Sequence, residues 1–121
     1  MIDKKQGGVE AKYTAEALYT FHGIAAYEDP TDGSIVIDLP LVKNHDFLNA
    51  ARVPNLRANV GRLNGNASHD LAGTFKRYRL ANVRQGPHDK AIIDFELPFD
   101  EFNTELPRQN QAYYAKPYRY A

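Results

Sequence analysis

Apolar and polar residues alternate along much of this chain, and this period of two restricts its fold more than any other feature. From Lys12 to His22, ten of eleven positions fit the alternation, and residues 35–41 and 91–99 show it as well. Side chains of a β-strand point in turn to its two faces, so each run predicts a strand with one buried face. The sequence therefore predicts an all-β chain.

Turn-forming residues separate these runs, because proline presets φ and glycine accepts a positive φ. Pro30 and Gly33 lie between two runs, and Gly86 and Pro87 lie between two others. Each pair of runs predicts a hairpin, and strands spaced by such turns predict a single antiparallel β-sandwich or flattened β-barrel. The hairpin arms are residues 24–27 with 34–41, and residues 74–84 with 91–99.

Two places depart from this pattern. Residues 44–52 fit one short helix with Asn44 as its N-cap, and the pair Val53-Pro54 is expected to end it, because proline disfavours helical backbone in the preceding residue. Pro40 lies inside a predicted strand. Because proline has no N–H to donate, that strand is expected at a sheet edge or to be bulged.

The chain has 121 residues, which suits one domain. We expect a flexible N-terminal arm at residues 1–10, a β-domain at 11–105, and a Tyr-rich arm or edge strand at 106–121, so that both termini are extended. No apolar run approaches the ~18 residues that cross a bilayer, and the first residues lack the apolar centre of a signal peptide. These features predict a soluble protein outside the membrane.

Fifteen basic and fifteen acidic residues balance overall but not along the chain. Residues 52–88 carry seven basic residues against Asp70, whereas residues 89–105 carry six acidic residues against Lys90. The second hairpin therefore pairs a basic arm with an acidic arm, and opposite charges across strands contribute about 0.2–1 kcal/mol per pair. The same partition would let identical subunits attract each other head to tail.

Half of the tyrosines lie in the last nine residues. Tyrosine offers a large contact area and few rotatable bonds, which favours it at protein interfaces. One interpretation is an arm that binds a neighbouring subunit, and the other is a further strand of the same domain. The residues assigned to a self-association interface are Tyr113, Tyr114, Tyr118, Arg119 and Tyr120.

The basic segment 52–84 suggests an alternative function, the binding of single-stranded nucleic acid or an anionic ligand. Aromatic side chains stack on bases, and cations bind phosphates. Against this, adjacent residues of a strand point to opposite faces, and the neighbouring acidic strands would repel phosphates. The residues of this predicted basic patch are Arg57, Arg62, Lys76, Arg77, Tyr78 and Arg79.

Signals of catalysis are weak. The chain has no cysteine, which excludes thiol catalysis, disulfides and cysteine-bound metals. Three of the four histidines precede an aspartate, but neighbours on a strand point apart and do not easily bind one ion. No serine-nucleophile elbow or metalloprotease motif is present, so no catalytic, cofactor or metal residue is assigned. A second alternative is a small β-barrel enzyme or metal protein that uses His45-Asp46, His69-Asp70 and His88-Asp89.

No family is recognised whose motifs match this sequence residue by residue. Its character favours a non-catalytic structural subunit that assembles with copies of itself or with a larger protein scaffold. Compact β-domains with extended arms are typical of small virion proteins, so the leading expectation is a phage-like decoration- or tail-type protein located in a virion. This comparison rests on general character and on no motif. No cofactor is expected.

Overall fold

The computed structural model describes residues 1–42, 45, 48, 52–58, 74–84, 90–97 and 107–119. Its centre is one antiparallel sheet of four strands: β1 (Ala25–Glu28), β2 (Ile35–Leu41), β3 (Thr74–Leu80) and β4 (Ile92–Glu96). Strands adjacent in the chain are also adjacent in the sheet. The described residues hold much more strand than helix, so the all-β prediction is confirmed. Within the described part of the chain the sheet is open, with β1 and β4 at its edges.

The β1–β2 hairpin confirms the turn predicted from Pro30 and Gly33. The Asp29 amide donates to the Ser34 carbonyl at 2.8 Å, and the Gly33 amide donates to the Asp29 carbonyl at 2.8 Å. Gly33 has a φ of 70°, which strains any residue with a side chain. The Ser34 amide also donates to Asp32 Oδ1 at 2.9 Å, so backbone and side-chain bonds together close the turn.

Strand β2 lies between β1 and β3, so the expectation that Pro40 marks an edge or a bulge is wrong. The Asp38 carbonyl accepts from the Ile24 amide at 3.0 Å, and the Pro40 carbonyl accepts from the Thr20 hydroxyl at 2.6 Å. Both carbonyls face the β1 side, and the missing N–H of Pro40 faces that side too, beyond the last β1 pair at Ala25. The proline is tolerated because no strand needs a donor at this point.

The β3–β4 pair confirms that the two predicted arms pair, but the pairing is short and irregular. A register shift between Arg77 and Tyr78 sets Phe95 opposite Arg77 and Ile93 opposite Tyr78, and passes over Asp94. Such a bulge changes which face the residues before it point to. The prediction that Ile93 and Phe95 share a face is therefore wrong. All five residues of β4 are exposed.

Different segments lie against the two faces of the sheet, and we name the faces after them. On one face, Ala11 packs against Leu80 and Val83. On the other face, Tyr118 of the C-terminal segment contacts Asp38. By cross-strand register, the N-terminal face carries Ile35, Ile37, Lys76, Tyr78 and Leu80, and the tail face carries Val36, Asp38, Phe75, Arg77 and Arg79.

The strand predicted for residues 12–22 is wrong. This segment forms two isolated bridges, Thr14 with Lys90 and Tyr19 with Val42, in place of a continuous ladder. A period of two predicts which side chains share a face, but it supplies no neighbouring strand to pair with. The segment is therefore held to the sheet by two bridges and by side-chain hydrogen bonds, such as that from Thr20 to the Pro40 carbonyl.

The helix α1 spans Val53–Ala58, so Pro54 lies in the first turn of a helix that the sequence did not predict, and Arg52 before it is a bend. Proline is tolerated in the first turn, where its missing N–H has no intrahelical acceptor. Leu48 is also helical and His45 lies in a turn, whereas most of the predicted helix 44–52 lies outside the described residues. No helix among the described residues is long and apolar enough to cross a membrane.

Candidate functional site

The most deeply buried charged group among the described residues is Asp38, whose exposed fraction is 0%. Arg77 lies directly opposite it on β3. Arg77 Nε donates to Asp38 Oδ1 at 2.8 Å, and Arg77 Nη2 donates to Oδ2 at 2.7 Å. These two parallel bonds are the geometry in which a guanidinium binds a carboxylate most strongly. The bonds to Asp38 raise the pKa of Arg77, so its guanidinium stays positively charged.

Tyr118 closes over this ion pair from the C-terminal segment. Its hydroxyl donates to Asp38 Oδ2. Its ring meets the ring of Tyr27 edge-on, with centroids 6.4 Å apart, and the Arg77 guanidinium carbon lies 5.7 Å from the Tyr118 centroid. Burial raises the pKa of Tyr118, and its hydrogen bond to Asp38 raises that pKa further. We call Tyr27, Asp38, Arg77 and Tyr118 the Asp38 cluster.

Arg79 lies two residues after Arg77 on the same face of β3 and forms ion pairs with three carboxylates. Its Nη1 is 2.9 Å from Asp29 Oδ2 and 3.3 Å from Asp32 Oδ2, and its Nε is 2.7 Å from Asp94 Oδ2. Asp29 and Asp32 belong to the β1–β2 turn, and Asp94 is the residue that the β4 bulge sets apart. One guanidinium therefore joins that turn to β3 and β4.

On the N-terminal face, Lys76 has its own carboxylates. Its Nζ is 2.5 Å from Glu16 Oε1 and 3.0 Å from Glu96 Oε1, which gives the predicted charge pairing across β3 and β4. Burial alone would lower the pKa of Lys76, but the hydrogen bonds with Glu16 and Glu96 outweigh it and raise that pKa. The neighbouring Tyr78 hydroxyl is buried, and this burial raises the pKa of Tyr78 to about 12.

The described part of the predicted basic patch is divided between surfaces. Its three strand cations each contact carboxylates of this chain, which leaves their charges largely compensated. A polyanion would meet no single basic and aromatic platform here. Lys76 and Tyr78 lie on the N-terminal face, Arg77 and Arg79 lie on the tail face, Arg57 is exposed on α1, and Arg62 lies outside the described residues.

The tyrosines assigned to a self-association interface have different surroundings. Tyr118 lies against the sheet of its own chain. Tyr113 and Tyr114 have exposed fractions of 48% and 64% and belong to, or follow, a single 3-10 turn at Gln111–Tyr113. Arg119 is exposed, and Tyr120 lies outside the described residues.

A groove separates the start of β1 from residues 107–115, and we call it the β1 groove. It consists of two cavities, of about 250 and about 460 Å³, that both contact Gly23, Ile24, Gln109 and Tyr114. The smaller cavity is largely apolar. The larger one adds polar side chains. Further residues of the smaller cavity include Ala25, Ile37 and Leu39, and those of the larger one include His22, Arg108 and Gln111.

Acid is expected to loosen the β1–β2 turn within a defined pH range. Hydrogen bonds from the Thr31 side chain and amide, followed by that from Arg79, lower the pKa of Asp29 from 3.8 to about 2. A carboxyl with a lower pKa in the folded chain stabilises the fold above its unfolded pKa, and this stabilisation is lost as the pH falls. The thermal midpoint, followed by circular dichroism, should therefore drop between about pH 4 and about pH 2.

The variant Asp29→Asn should show a shallower drop over that range, since its side chain cannot take up the proton. Glu10→Gln removes an exposed carboxylate of the N-terminal segment and serves as the control, which should keep the slope of the unchanged protein. An Asp29→Asn slope as steep as that of the unchanged protein would contradict the assignment.

The Asp38 cluster is not predicted by any pattern in the sequence. Asp38 interrupts the apolar run 35–42, and a charged residue within such a run is the signal that was available. Its partner Arg77 is 39 residues away in the chain. Only the pairing of β2 with β3 sets the two side chains opposite each other.

Comparison with known proteins places the chain in a family. The sequence model of the retinal pigment epithelial membrane protein family, RPE65, matches residues 1–121. The chain belongs to this family, whose members are enzymes of the retinoid isomerase and carotenoid oxygenase class. No curated protein and no solved structure matches the chain.

This membership overturns the function predicted from the sequence. The prediction of a non-catalytic structural or assembly subunit, of the virion decoration or tail type, is wrong. The prediction that the chain is not an enzyme is wrong as well. The phage-like and virion description is wrong for the same reason. Catalytic groups that come from separate elements of a fold leave no short motif, so the lack of one did not exclude an enzyme.

Proposed function

We propose that this chain is part of an enzyme that acts on a retinoid or a carotenoid. The observation that carries the proposal is the family match over residues 1–121, since that family consists of retinoid isomerases and carotenoid oxygenases. Both substrate classes are long, apolar, conjugated molecules. Binding one of them requires a concave apolar surface that replaces water along its length.

The β1 groove supports this proposal. Ile24, Ile37 and Leu39 give its smaller cavity an apolar floor. Ligand sites generally begin at about 300 Å³, so this cavity of about 250 Å³ suits one end of such a molecule. The adjoining cavity of about 460 Å³, with His22 and Gln111 in its lining, offers room and polar groups for a further part.

Oxygenase chemistry on a hydrocarbon draws on a metal ion or an organic cofactor to activate O₂. A non-haem iron site of this kind needs about three histidine or carboxylate ligands that converge. Among the described residues, no group of three or more His, Asp or Glu side chains is placed to hold a metal ion. The described histidines are His22 and His45, and they do not form such a site.

We also propose that a second layer of structure packs against the sheet, as the predicted sandwich or flattened barrel requires. On β4, three apolar side chains are strongly exposed on both sides of the strand: Ile92, Ile93 and Phe95, with exposed fractions of 54%, 43% and 51%. Burying a side chain of this size contributes about 1.5–3 kcal/mol. A further layer over this strand would give the sandwich or flattened barrel that the alternation predicts.

The proposed function is tested with all-trans-retinol and β-carotene as probes. The chain has eight tyrosines and no tryptophan, so tyrosine emission reports the binding of a retinoid, which absorbs in that range. We expect quenching that saturates with added retinol. Leu39→Glu should weaken the affinity at least about tenfold, because the bound molecule would bury a carboxylate. Chromatography of the incubated probes then detects an isomer or a shortened carbonyl product.

Ile92→Glu is the matched control, since it places the same charge on exposed β4, away from the β1 groove. It should bind retinol like the unchanged protein. Retinol that fails to bind the unchanged chain, together with unaltered β-carotene, would overturn the proposed function. Equal affinities of the two glutamate variants would show that the groove is not the binding site.

A further inference from the structure

The C-terminal segment holds itself together separately from the sheet. Gln109 Nε2 donates to the Tyr113 carbonyl at 3.2 Å, and the Lys116 amide donates to the same carbonyl at 3.1 Å. The Ala112 amide donates to Asn110 Oδ1 at 3.0 Å. These bonds all join residues of the segment to one another. Residues 109–116 therefore form a small unit with its own internal bonding.

This unit stands over the β1 groove and does not fill it. Gln109, Tyr114 and Ala115 line the smaller cavity together with Ile24. The exposed fraction of Ile24 is only 9%, although it lines both cavities. The C-terminal segment therefore lines the same cavities as this buried side chain.

The attachment to the sheet lies at one end of the segment. Tyr118 combines a hydrogen bond to the buried Asp38 with ring contacts to Tyr27 and the Arg77 guanidinium. Within the bonded unit, Ala115 has a φ of 55°, a left-handed conformation that a residue with a side chain rarely adopts. Backbone strain of this kind persists where the surrounding contacts enforce it. Tyr118, three residues after Ala115, provides such contacts with the sheet.

We propose that residues 107–119 form a strap over the β1 groove and that Tyr118 is its catch on Asp38. In the closed strap, the Tyr118 hydroxyl is bonded to the carboxylate and Ile24 is covered. In the open strap, this bond is broken and an apolar ligand reaches Ile24. The strap is inferred from the contacts of Tyr118 and from the residues that line the groove. The identity of the ligand as a retinoid or carotenoid rests on the proposed function.

A single cysteine measures the opening directly, because the natural chain has none. In Ile24→Cys, the thiol lies under the strap, and its rate of reaction with a disulfide reagent reports how often the strap opens. Adding Tyr118→Phe removes only the hydroxyl and keeps the ring against Tyr27. We expect the labelling rate to rise about tenfold, since a hydrogen bond to a buried charge is lost. Adding Tyr113→Phe instead makes the same chemical change on an exposed ring of the strap and should leave the rate unchanged.

A second thiol separates strap opening from loss of the whole fold. Leu80 packs on the N-terminal face with Ala11 and Val83, so the thiol of Leu80→Cys becomes accessible through unfolding of the sheet. Tyr118→Phe should accelerate labelling at position 24 and leave that at position 80 within about twofold. Equal acceleration at both positions, or none at position 24, would overturn the strap.

Retinol tests the ligand separately. If the proposed function holds, saturating all-trans-retinol should slow the labelling of Ile24→Cys by covering the thiol. Unchanged labelling in retinol would count against the proposed ligand, while faster labelling in Tyr118→Phe would still support the catch. The two failures are therefore distinguishable within one set of variants.

Discussion

Replacing Asp38 with alanine is expected to lower the free energy of unfolding by about 3 kcal/mol, the lower end of the range for breaking a buried ion pair. The change removes the acceptor of two Arg77 bonds and of the Tyr118 hydroxyl. Arg77 then keeps its charge without a counter-ion. We expect the lower end because the Arg77 side chain is 28% exposed and water reaches part of it. Urea unfolding followed by circular dichroism measures the change.

The exposed pair of Glu28 with Arg84 provides the control, because its side chains are 53% and 83% exposed and 3.3 Å apart. Glu28→Ala should cost less than about 1 kcal/mol. The double variant Asp38→Leu with Arg77→Met, which replaces the charges with apolar side chains, should recover about half or more of the loss. A cost for Asp38→Ala no larger than that for Glu28→Ala would show that the Asp38 cluster does not stabilise the sheet.

Replacing Tyr118 with alanine should cost about 2 kcal/mol, because both the packing of its ring and its hydrogen bond to a charged acceptor are lost. A fully buried aromatic residue would cost more, but Tyr118 is partly exposed. The same urea measurement, made at two protein concentrations, also shows whether the loss depends on association. A loss that is independent of concentration is expected, since Tyr118 contacts its own sheet.

Tyr114 is the control for this variant. It lies in the same segment, but 64% of it is exposed, so Tyr114→Ala should change the free energy of unfolding by less than about 0.5 kcal/mol. Equal costs for the two variants would contradict the docking of Tyr118. A cost for Tyr118→Ala that appears only at high protein concentration would point to an arm between subunits instead.

The two hairpins could be predicted because their signals are local. Pro30 and Gly33 determine a turn whatever the rest of the chain does, and the arms on either side follow from it. The segment 12–22 has an equally regular alternation, yet its only bridges are at Thr14 and Tyr19 within the described residues. A strand needs a neighbour as well as a pattern, and the neighbour is a property of the whole fold.

The Asp38 cluster could not be predicted for a related reason. Its charged pair depends on the register of β2 with β3, and no short turn joins these strands to set that register. Tyr118 enters from a third part of the chain whose aperiodic sequence gave no element to place. A buried charge could be suspected at Asp38, but its partner among the seven basic residues of 52–88 could not be chosen.

The function could not be predicted for a different reason, which is the kind of site involved. Nucleophile, metal and phosphate motifs are short arrangements of reactive residues, which a sequence shows directly. The site proposed for a long hydrocarbon is instead made of ordinary apolar side chains, such as Ile24 and Leu39, which sequence patterns cannot tell from a core. Membership in the family came from similarity over residues 1–121 and from no single residue.

Pro40 has a consequence for a strand to which it does not belong. The register that sets Ala25 opposite Asp38 would set Gly23 opposite Pro40 as the next pair of its kind. Because Pro40 offers no N–H to the Gly23 carbonyl, the hydrogen-bonded pairing of β1 with β2 cannot extend further towards His22. Gly23, where this pairing is absent, lines both cavities of the β1 groove. The length of one strand, and with it the mouth of the groove, is thus encoded by an imino acid in its neighbour.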